Sequence, residues 1–474
     1  MPDKPALIVG PRVCTYAQLE AATQRTADAL RDAGVVPGRK VALTAPNGPE
    51  FVAALMGILR TGGVAVPAAS NMQAPERDEM LERVGCEYQL GPTRTDTDRA
   101  VAFRVFDDAS AQELRLAPTP YLATEPVDER LLDLGASNIR FTSGTTAAFK
   151  GVVLSHEGIA ERIEVANRAL QISDADTIFF ALEMAHHFAV SVTLHLSVGA
   201  TIVTGSLFLC DAMVRQIHRH RATVVYSTPV TYRLLADAPD VEPDAMENVR
   251  LAISTAMPLG RDLETRFEAR WGVPLTQALG IIEVGMPIMN LPHPRRVRGA
   301  LGRLIDGFEA RVVDEEGRDV AGTPGELWLR GPGMLAAYYA PWRLRDAILH
   351  DGWFRTGDIV RRDEDGNFFL MGRNKNLINV GGTKVFPAEV EEVLTSHDAV
   401  VEAVVTGAPD DVLGEVPVAT VVLRSGCETT PEALSDHCRR HLSHFKVPRR
   451  IRIVTDLPRT HSGKIARSRV AMGS

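Results

Sequence analysis

Between Phe141 and Gly151 the chain reads Phe-Thr-Ser-Gly-Thr-Thr-Ala-Ala-Phe-Lys-Gly. Thr142, Ser143, Gly144, Thr145 and Thr146 are small and mostly hydroxylated, and Lys150 follows. Such a loop can turn backbone N–H groups and hydroxyls toward an anion, with the lysine adding a point charge. It departs from the common nucleotide loop G-x-x-x-x-G-K-[ST], because the second glycine before the lysine is missing. Taken alone it reads equally well as a flexible Ser/Thr turn.

Four more stretches carry groups suited to phosphate or metal chemistry. They are Gln277-Ala278-Leu279-Gly280-Ile281-Ile282-Glu283, Gly352-Trp353-Phe354-Arg355-Thr356-Gly357-Asp358, Gly372-Arg373-Asn374-Lys375 and Pro458-Arg459-Thr460-His461-Ser462-Gly463-Lys464. Singly, each has an ordinary explanation: a surface acid, an arginine in an ion pair, a tail lysine in solvent. Their order and spacing together with the Thr/Ser/Gly loop resemble the adenylate-forming superfamily, which includes acyl-CoA synthetases, aryl-CoA ligases, luciferases and peptide-synthetase adenylation domains. The resemblance runs from about Pro5 to Arg469.

The chemistry of that family explains why such residues are needed. A carboxylate is a poor electrophile, and oxide is not a usable leaving group. Attack of the carboxylate on the α-phosphate of ATP gives an acyl-adenylate and pyrophosphate, and a thiol then displaces AMP to form a thioester. Charge gathers on phosphate in the first transition state, so fixed cations and N–H donors supply most of the catalysis. The resemblance implies that Thr142–Thr146 with Lys150 hold the β- and γ-phosphates, Thr146 acting in catalysis, and that Glu283 holds Mg²⁺ bridging the phosphates. It implies that Asp358 accepts from the ribose hydroxyls with Arg373 beside it, that Leu279, Gly280 and Ile282 line the nucleotide, and that Lys464 reaches the α-phosphate and carboxylate oxygens. Lys375 stands at the family's hinge position, and Gly381-Gly382 would face the thiol arm of the acceptor. His186, Ala189, Val190, Thr255, Ala256, Met257 and Gly280 would line the acyl pocket, with His186 beside the carboxylate. A core histidine is an equally good account of His186.

The sequence also departs from the family. Ala147 replaces the usual glycine and Phe149 the usual proline; Leu279 replaces a tyrosine expected on adenine, and Ile282 a threonine near the α-phosphate. Losing that hydroxyl removes a hydrogen bond of about 0.5–1.5 kcal/mol. These changes leave open a retuned pocket or a catalytically impaired protein that only binds nucleotide. A kinase or ATPase is disfavoured by the missing loop glycine. The stretch from Met184 to Cys210 contains no Asp, Glu, Lys or Arg, so nothing in it would pair a substrate ammonium. An uncharged fatty or aryl acid is expected, with coenzyme A as favoured acceptor and carrier-protein phosphopantetheine as second.

The elements that would position these groups alternate between helix and strand. Thr15-Tyr16-Ala17-Gln18 has capping-box spacing ahead of a helix with Leu19, Ala22, Ala27 and Leu30 on one face. Runs such as Val41–Leu43, Val64–Val66, Thr223–Tyr226 and Leu251–Ile253 predict buried parallel strands with covering helices. Residues 91–135 read as an irregular surface connection. After Arg298, short strands at Glu309–Val313, Gly325–Arg330 and Phe368–Met371 predict a small antiparallel barrel or sheet. The fold class expected is α/β: a large N-terminal unit over 1–375, made of two α/β sheet subdomains and the small barrel, followed by a smaller, mobile α+β domain over 376–474.

Composition agrees with a globular chain of more than one domain. The 474 residues are 45% hydrophobic and 24% charged. The five cysteines are scattered without a C-x-x-C, which fits a reducing cytoplasm rather than a disulfide framework. No signal peptide is visible, and Met184–Cys210 reads as a buried helix, a turn and a strand rather than a membrane span. Net charge is −8, which does not favour nucleic acid. The charge is uneven: residues 436–474 carry ten Lys/Arg against Asp436 and Asp456. This basic block is either a solvated face or a seat for a phosphate-rich ligand or acidic partner, and Lys446, Arg449 and Arg450 are the candidates for pinning coenzyme A phosphates.

Overall fold

The structure is a computed structural model that describes all residues except 71, 93–99, 108–110, 125, 142–149, 206–208, 239–243, 293–295, 460–464 and 472–474, together with the side chains of 123, 124, 375, 468 and 471. Among the described residues the chain forms four sheets. Two are nine-stranded and mainly parallel in their centres, covered by helices as the alternation predicts. The first has Thr177–Phe180, Val224–Ser227, Leu251–Ser254 and Leu275–Ile281 as parallel central strands. The second is built around Lys40–Thr44, Val64–Ala68 and Tyr88–Gly91, also parallel. These runs are buried along their length, which is why they read as continuous apolar stretches rather than alternating ones.

The predicted capping box is present. The Thr15 side chain accepts from the Gln18 N–H, and Gln18 Oε1 accepts from the Thr15 N–H at 2.8 Å, starting helix Tyr16–Asp32. Its inner face packs on helix Pro49–Arg60. The expectation of an irregular connection over 91–135 is corrected. Strands Val101–Arg104 and Glu113–Pro118 extend the second sheet antiparallel to Tyr88–Gly91, and Glu129–Asp133 is helical. Leu114 and Leu116 point inward, but this two-residue alternation is too short to stand out from the polar sequence around it.

Glu309–Val313, Gly325–Arg330, Phe354–Arg362 and Phe368–Arg373 form the predicted small antiparallel sheet, in that order. The fourth sheet, with helices Pro387–Thr395 and Pro431–His441, has its own apolar core around Val390, Leu394, Val421 and Leu434. Met184–Thr204 folds as short helical segments and the strand Thr201–Thr204, largely buried. No helix among the described residues is long and apolar enough to cross a membrane.

Gly302 joins the first sheet to the small one. Its carbonyl accepts from the Phe368 N–H at 2.8 Å, while the neighbouring Leu301 N–H donates to the Phe368 carbonyl at 2.7 Å. It sits at φ +109°, and a Cβ there would collide with the Met289 carbonyl. Backbone cannot yield as a flexible side chain can, and the positive φ is itself costly for alanine. Gly302→Ala is therefore expected to destabilise the chain by more than about 2 kcal/mol. Loss of soluble protein or a clear drop in Tm is the readout, and an unchanged melting curve would show that this junction is loose.

Candidate functional site

Glu283 lies at the tip of the hairpin formed by Leu275–Ile281 and Gly285–Met289. Its carboxylate Oε1 accepts a hydrogen bond from Tyr338 Oη at 2.9 Å, and its backbone carbonyl accepts from the Leu335 N–H at 2.7 Å. The Lys150 ammonium stands 5.2 Å from the centre of the Tyr338 ring, close enough for a cation–π contact. Tyr338 thus brings together Lys150 and Glu283, which are 133 residues apart in the sequence. Burial and the neighbouring Glu283 push the Tyr338 phenol upward, so it remains a neutral donor.

Two arginines complete this region. Burial pulls Arg162 down to about 9, aided by repulsion from Arg140 and opposed by Glu283. Burial likewise pulls Arg140 down to about 10, again opposed by Glu283. Both remain cationic at neutral pH, and each is stabilised by the Glu283 charge. Arg162 Nε donates to the Gly333 carbonyl and Nη1 donates to the Ile282 carbonyl at 2.9 Å, while Nη2 is buried with no hydrogen-bond partner. The sequence reading missed Arg140, Arg162 and Tyr338. Arg162 had a signal: it falls on the apolar face of its helix with Ile159, Val165 and Ala166, where a charge needs a reason. Tyr338 had none.

Asp358 and Arg373 are directly opposite each other on adjacent strands, with Arg373 Nε 2.7 Å from Asp358 Oδ1. Asp358 is only 4% exposed, whereas the arginine is largely open. Thr356 Oγ1 accepts from the Asp358 N–H at 3.0 Å and donates to Leu327, which fixes the turn into this strand.

The loop Ser254-Thr255-Ala256-Met257-Pro258 meets the hairpin at Gly280. Thr255 Oγ1 donates to the Ala278 carbonyl at 3.1 Å, and a Cβ on Gly280 would lie 3.6 Å from that oxygen. Ala256 holds φ +71°, a left-handed conformation that costs alanine about 1–2 kcal/mol. Leu279 and Ile282 are partly buried against the main core. His186 is in the short helix Met184–His187, anchored by Asn47, whose Oδ1 accepts from the Met184 N–H at 2.8 Å. Ala189 and Val190 lie in a π-helical turn, Phe188–Val192, a distortion often found at functional sites. The further histidine of this stretch, His195, is pulled down to about 3 by burial and is a neutral core residue.

Other expected residues have structural roles already. Gly381 and Gly382 form the two-residue turn between Ile378–Val380 and Thr383–Val385, both at positive φ, as a tight hairpin demands. Lys446 makes a two-pronged contact to Glu389 at 2.6 and 2.8 Å, so its charge is committed within its own block. Arg449 and Arg450 are exposed. The backbone of Lys375 is in a single 3₁₀ turn. Thr142, Ser143, Gly144, Thr145, Thr146, Ala147, Phe149 and Lys464 lie outside the described residues.

With this geometry in view, comparison with known proteins identifies the class. Residues 1–339 match the family model described as AMP-binding enzyme, and residues 389–464 match the AMP-binding enzyme C-terminal domain. The chain belongs to the AMP-binding enzyme family. It is 31% identical to a sulfoacetate–CoA ligase of Cupriavidus necator, over 98% of this chain and 94% of that one. It is also 31% identical to a fatty acid–[acyl-carrier-protein] ligase of Streptomyces coeruleorubidus, over 98% and 92%. Among solved structures it is similar to ATP-bound MatB from Rhodopseudomonas palustris, with TM-score 0.86, 26% identity and coverage of 100% and 96%.

Tyr338 supplies a test of the assembled site. Tyr338→Phe keeps the ring under Lys150 and removes only the donor to Glu283. A hydrogen bond to a charged group is worth about 1.5–3 kcal/mol, so pyrophosphate release is expected to fall by about tenfold or more with the fold intact. An unchanged rate would separate Glu283 from the chemistry.

Proposed function

We propose that this chain is an ATP- and Mg²⁺-dependent acid–thiol ligase. It joins a carboxylic acid without an amino group to AMP and then passes the acyl group to the thiol of coenzyme A. The observation that carries this reading is the Lys150–Tyr338–Glu283 arrangement: an ammonium over one aromatic ring and a carboxylate on that ring's hydroxyl. Lys150 suits terminal phosphate oxygens, and Glu283 suits the cation that accompanies them. Among the described residues no group of three or more His, Cys, Asp or Glu side chains could cage a metal, so Mg²⁺ would be shared between Glu283 and the phosphates, where it would neutralise developing charge.

The remaining roles are those that the family resemblance implies. Buried Asp358 accepts from the ribose hydroxyls, held in orientation by Arg373. Thr142–Thr146 receive the β- and γ-phosphates. Leu279, Gly280 and Ile282 flank the nucleotide, and Gly280 with Thr255, Ala256 and Met257 leads to the acyl group. His186, Ala189 and Val190 line its apolar end. Lys464 bridges the α-phosphate and the attacking carboxylate oxygen. That oxygen forms the new bond to phosphorus as the bond to pyrophosphate breaks. In the second step the thiol sulfur bonds to the acyl carbon, loses its proton, and AMP leaves with the carboxyl oxygen it gained. The block 376–474 turns about Lys375 between the steps, as a lid that brings Lys464 in and later Gly381-Gly382.

Coenzyme A is the favoured acceptor. The carrier-protein alternative is supported by the Streptomyces relative, whose name gives a carrier protein as its acceptor. Cytoplasmic location fits cysteines that are all unpaired.

Two measurements test the reading. Lys464→Ala is expected to lower pyrophosphate release by about 10²–10³-fold, as expected for one positioned cation on a developing oxyanion. Thioester formation from supplied acyl-adenylate should survive, and equal loss of both half-reactions would overturn the assignment. Replacing Arg449 and Arg450 with Gln should raise the KM for coenzyme A without slowing adenylation. Efficient transfer only to a carrier protein, with free coenzyme A sluggish at any concentration, would shift the acceptor.

A further inference from the structure

A second cavity lies away from this site, where helix His156–Leu170, the end of strand Gly285–Met289, the strand Arg303–Leu304 and the small antiparallel sheet meet. Its volume is about 280 Å³. Val165, Ala169, Met289, Leu304 and Ile305 supply apolar walls, and Arg303 supplies a guanidinium. The other charged groups facing it are accounted for. Arg296 is ion-paired with Glu264 and Glu268, although its Nε is also buried without a hydrogen-bond partner, Arg168 is paired with Glu164, and Asp306 is exposed.

Arg303 is different. Its Nε donates to Asn367 Oδ1 at 3.1 Å, and Asn367 is in turn held by both carboxylate oxygens of Asp363, at 3.3 and 3.0 Å. This relay orients the guanidinium without neutralising it, because its direct partner is an uncharged amide. Arg303 has no carboxylate within ion-pair distance among the described residues, and its Nη2 is buried with no hydrogen-bond partner. A buried donor of a charged group left unpaired is costly. Asn367 is 1% exposed and Met289 3% exposed, so the surroundings that hold the arginine are fixed.

We propose that this cavity is a binding site for a small monocarboxylate with an apolar body, its carboxylate on the Arg303 guanidinium and its body against Val165, Ala169, Leu304 and Ile305. The single uncompensated cation selects one negative charge, and the apolar walls favour a ring or short chain over a bare inorganic anion. The volume accommodates a benzoate-sized acid. The cavity is distinct from the adenylation site in its lining, which includes none of Lys150, Glu283, Tyr338, Asp358 or Arg373. It does not depend on the proposed reaction.

The probes are 4-bromobenzoate and 4-fluorobenzoate with the full chain. Soaked crystals are expected to show an anomalous bromine peak among Val165, Ala169 and Leu304, with the carboxylate on Arg303. In solution, ¹⁹F NMR titration should show binding that Arg303→Met weakens at least tenfold. Ala169→Phe, which fills the cavity and leaves every charge in place, should abolish the same event, and guards against a folding defect in the arginine variant. Pyrophosphate release measured on the same variants reports the adenylation site separately, so failure of either reading is visible alone. Binding at crystal concentration only, unchanged affinity in both variants, or inorganic phosphate binding as tightly as the benzoates would each overturn the proposal.

Discussion

A buried guanidinium cannot be left to itself, and the core of this protein is arranged around that constraint. Arg162 is 2% exposed and has its charge beside that of Arg140. Two cations out of water need a counter-charge, and Glu283 acts on both. Because Arg162 also donates to the Ile282 and Gly333 carbonyls, it ties together the helix after the Ser/Thr loop, the hairpin that carries Glu283, and the segment that leads to Tyr338. Removing Glu283 would leave both cations uncompensated. The position of Glu283 is therefore fixed by electrostatics as much as by the strands on either side.

This arrangement also explains why the site forms at a meeting of sheets. Tyr338 is on the strand Ala337–Tyr339 of the second sheet, paired with Gly151–Val153 immediately after Lys150. Glu283 belongs to the first sheet, and Asp358 and Arg373 to the small antiparallel one. Lys150, Glu283 and Arg373 come from at or beside the ends of strands, where side chains can face a shared crevice while the strand remains paired. Asp358 comes from the middle of Phe354–Arg362, opposite Arg373. Gly302, with its bond to Phe368, holds the small sheet against the first. The left-handed Ala256 stores strain in the loop beside Gly280, a cost that a purely structural turn could have avoided with glycine.

Much of this was legible in the sequence, for specific reasons. Thr15 and Gln18 encode a helix start through local hydrogen bonds, so the capping box needed no tertiary information. The Glu309–Val313 and Gly325–Arg330 strands have the bounds that their alternation and flanking turns predict. The Asp358–Arg373 pairing follows from hairpin register, which sequence only hints at. The edge strand Val101–Arg104 and its neighbour Glu113–Pro118 were missed because short strands with a wet face carry little hydrophobic signal. The Tyr338–Glu283 bond was invisible for a different reason: it is made by residues 55 apart on separate sheets, and tyrosine carries no motif of its own.

The basic C-terminal block shows how a charge count can overstate a binding surface. Its excess reads as a seat for phosphates, yet much of that charge is spent internally. Lys446 is held by Glu389, Arg467 by Glu391 and Arg439 by Asp436. Arg459 is held by Glu402, which also receives Arg233 from helix Pro229–Ala236, so one carboxylate joins the block to the body of the protein. Such pairs contribute little stability where exposed, but they fix where charge can point. What remains available is narrower than the sequence suggests: exposed Arg449 and Arg450, at the start of a strand in the fourth sheet. A small cationic pair of that kind suits a compact phosphate at short range. A broad acidic protein surface would instead draw on the whole block, in which Arg439, Lys446, Arg459 and Arg467 already have carboxylate partners.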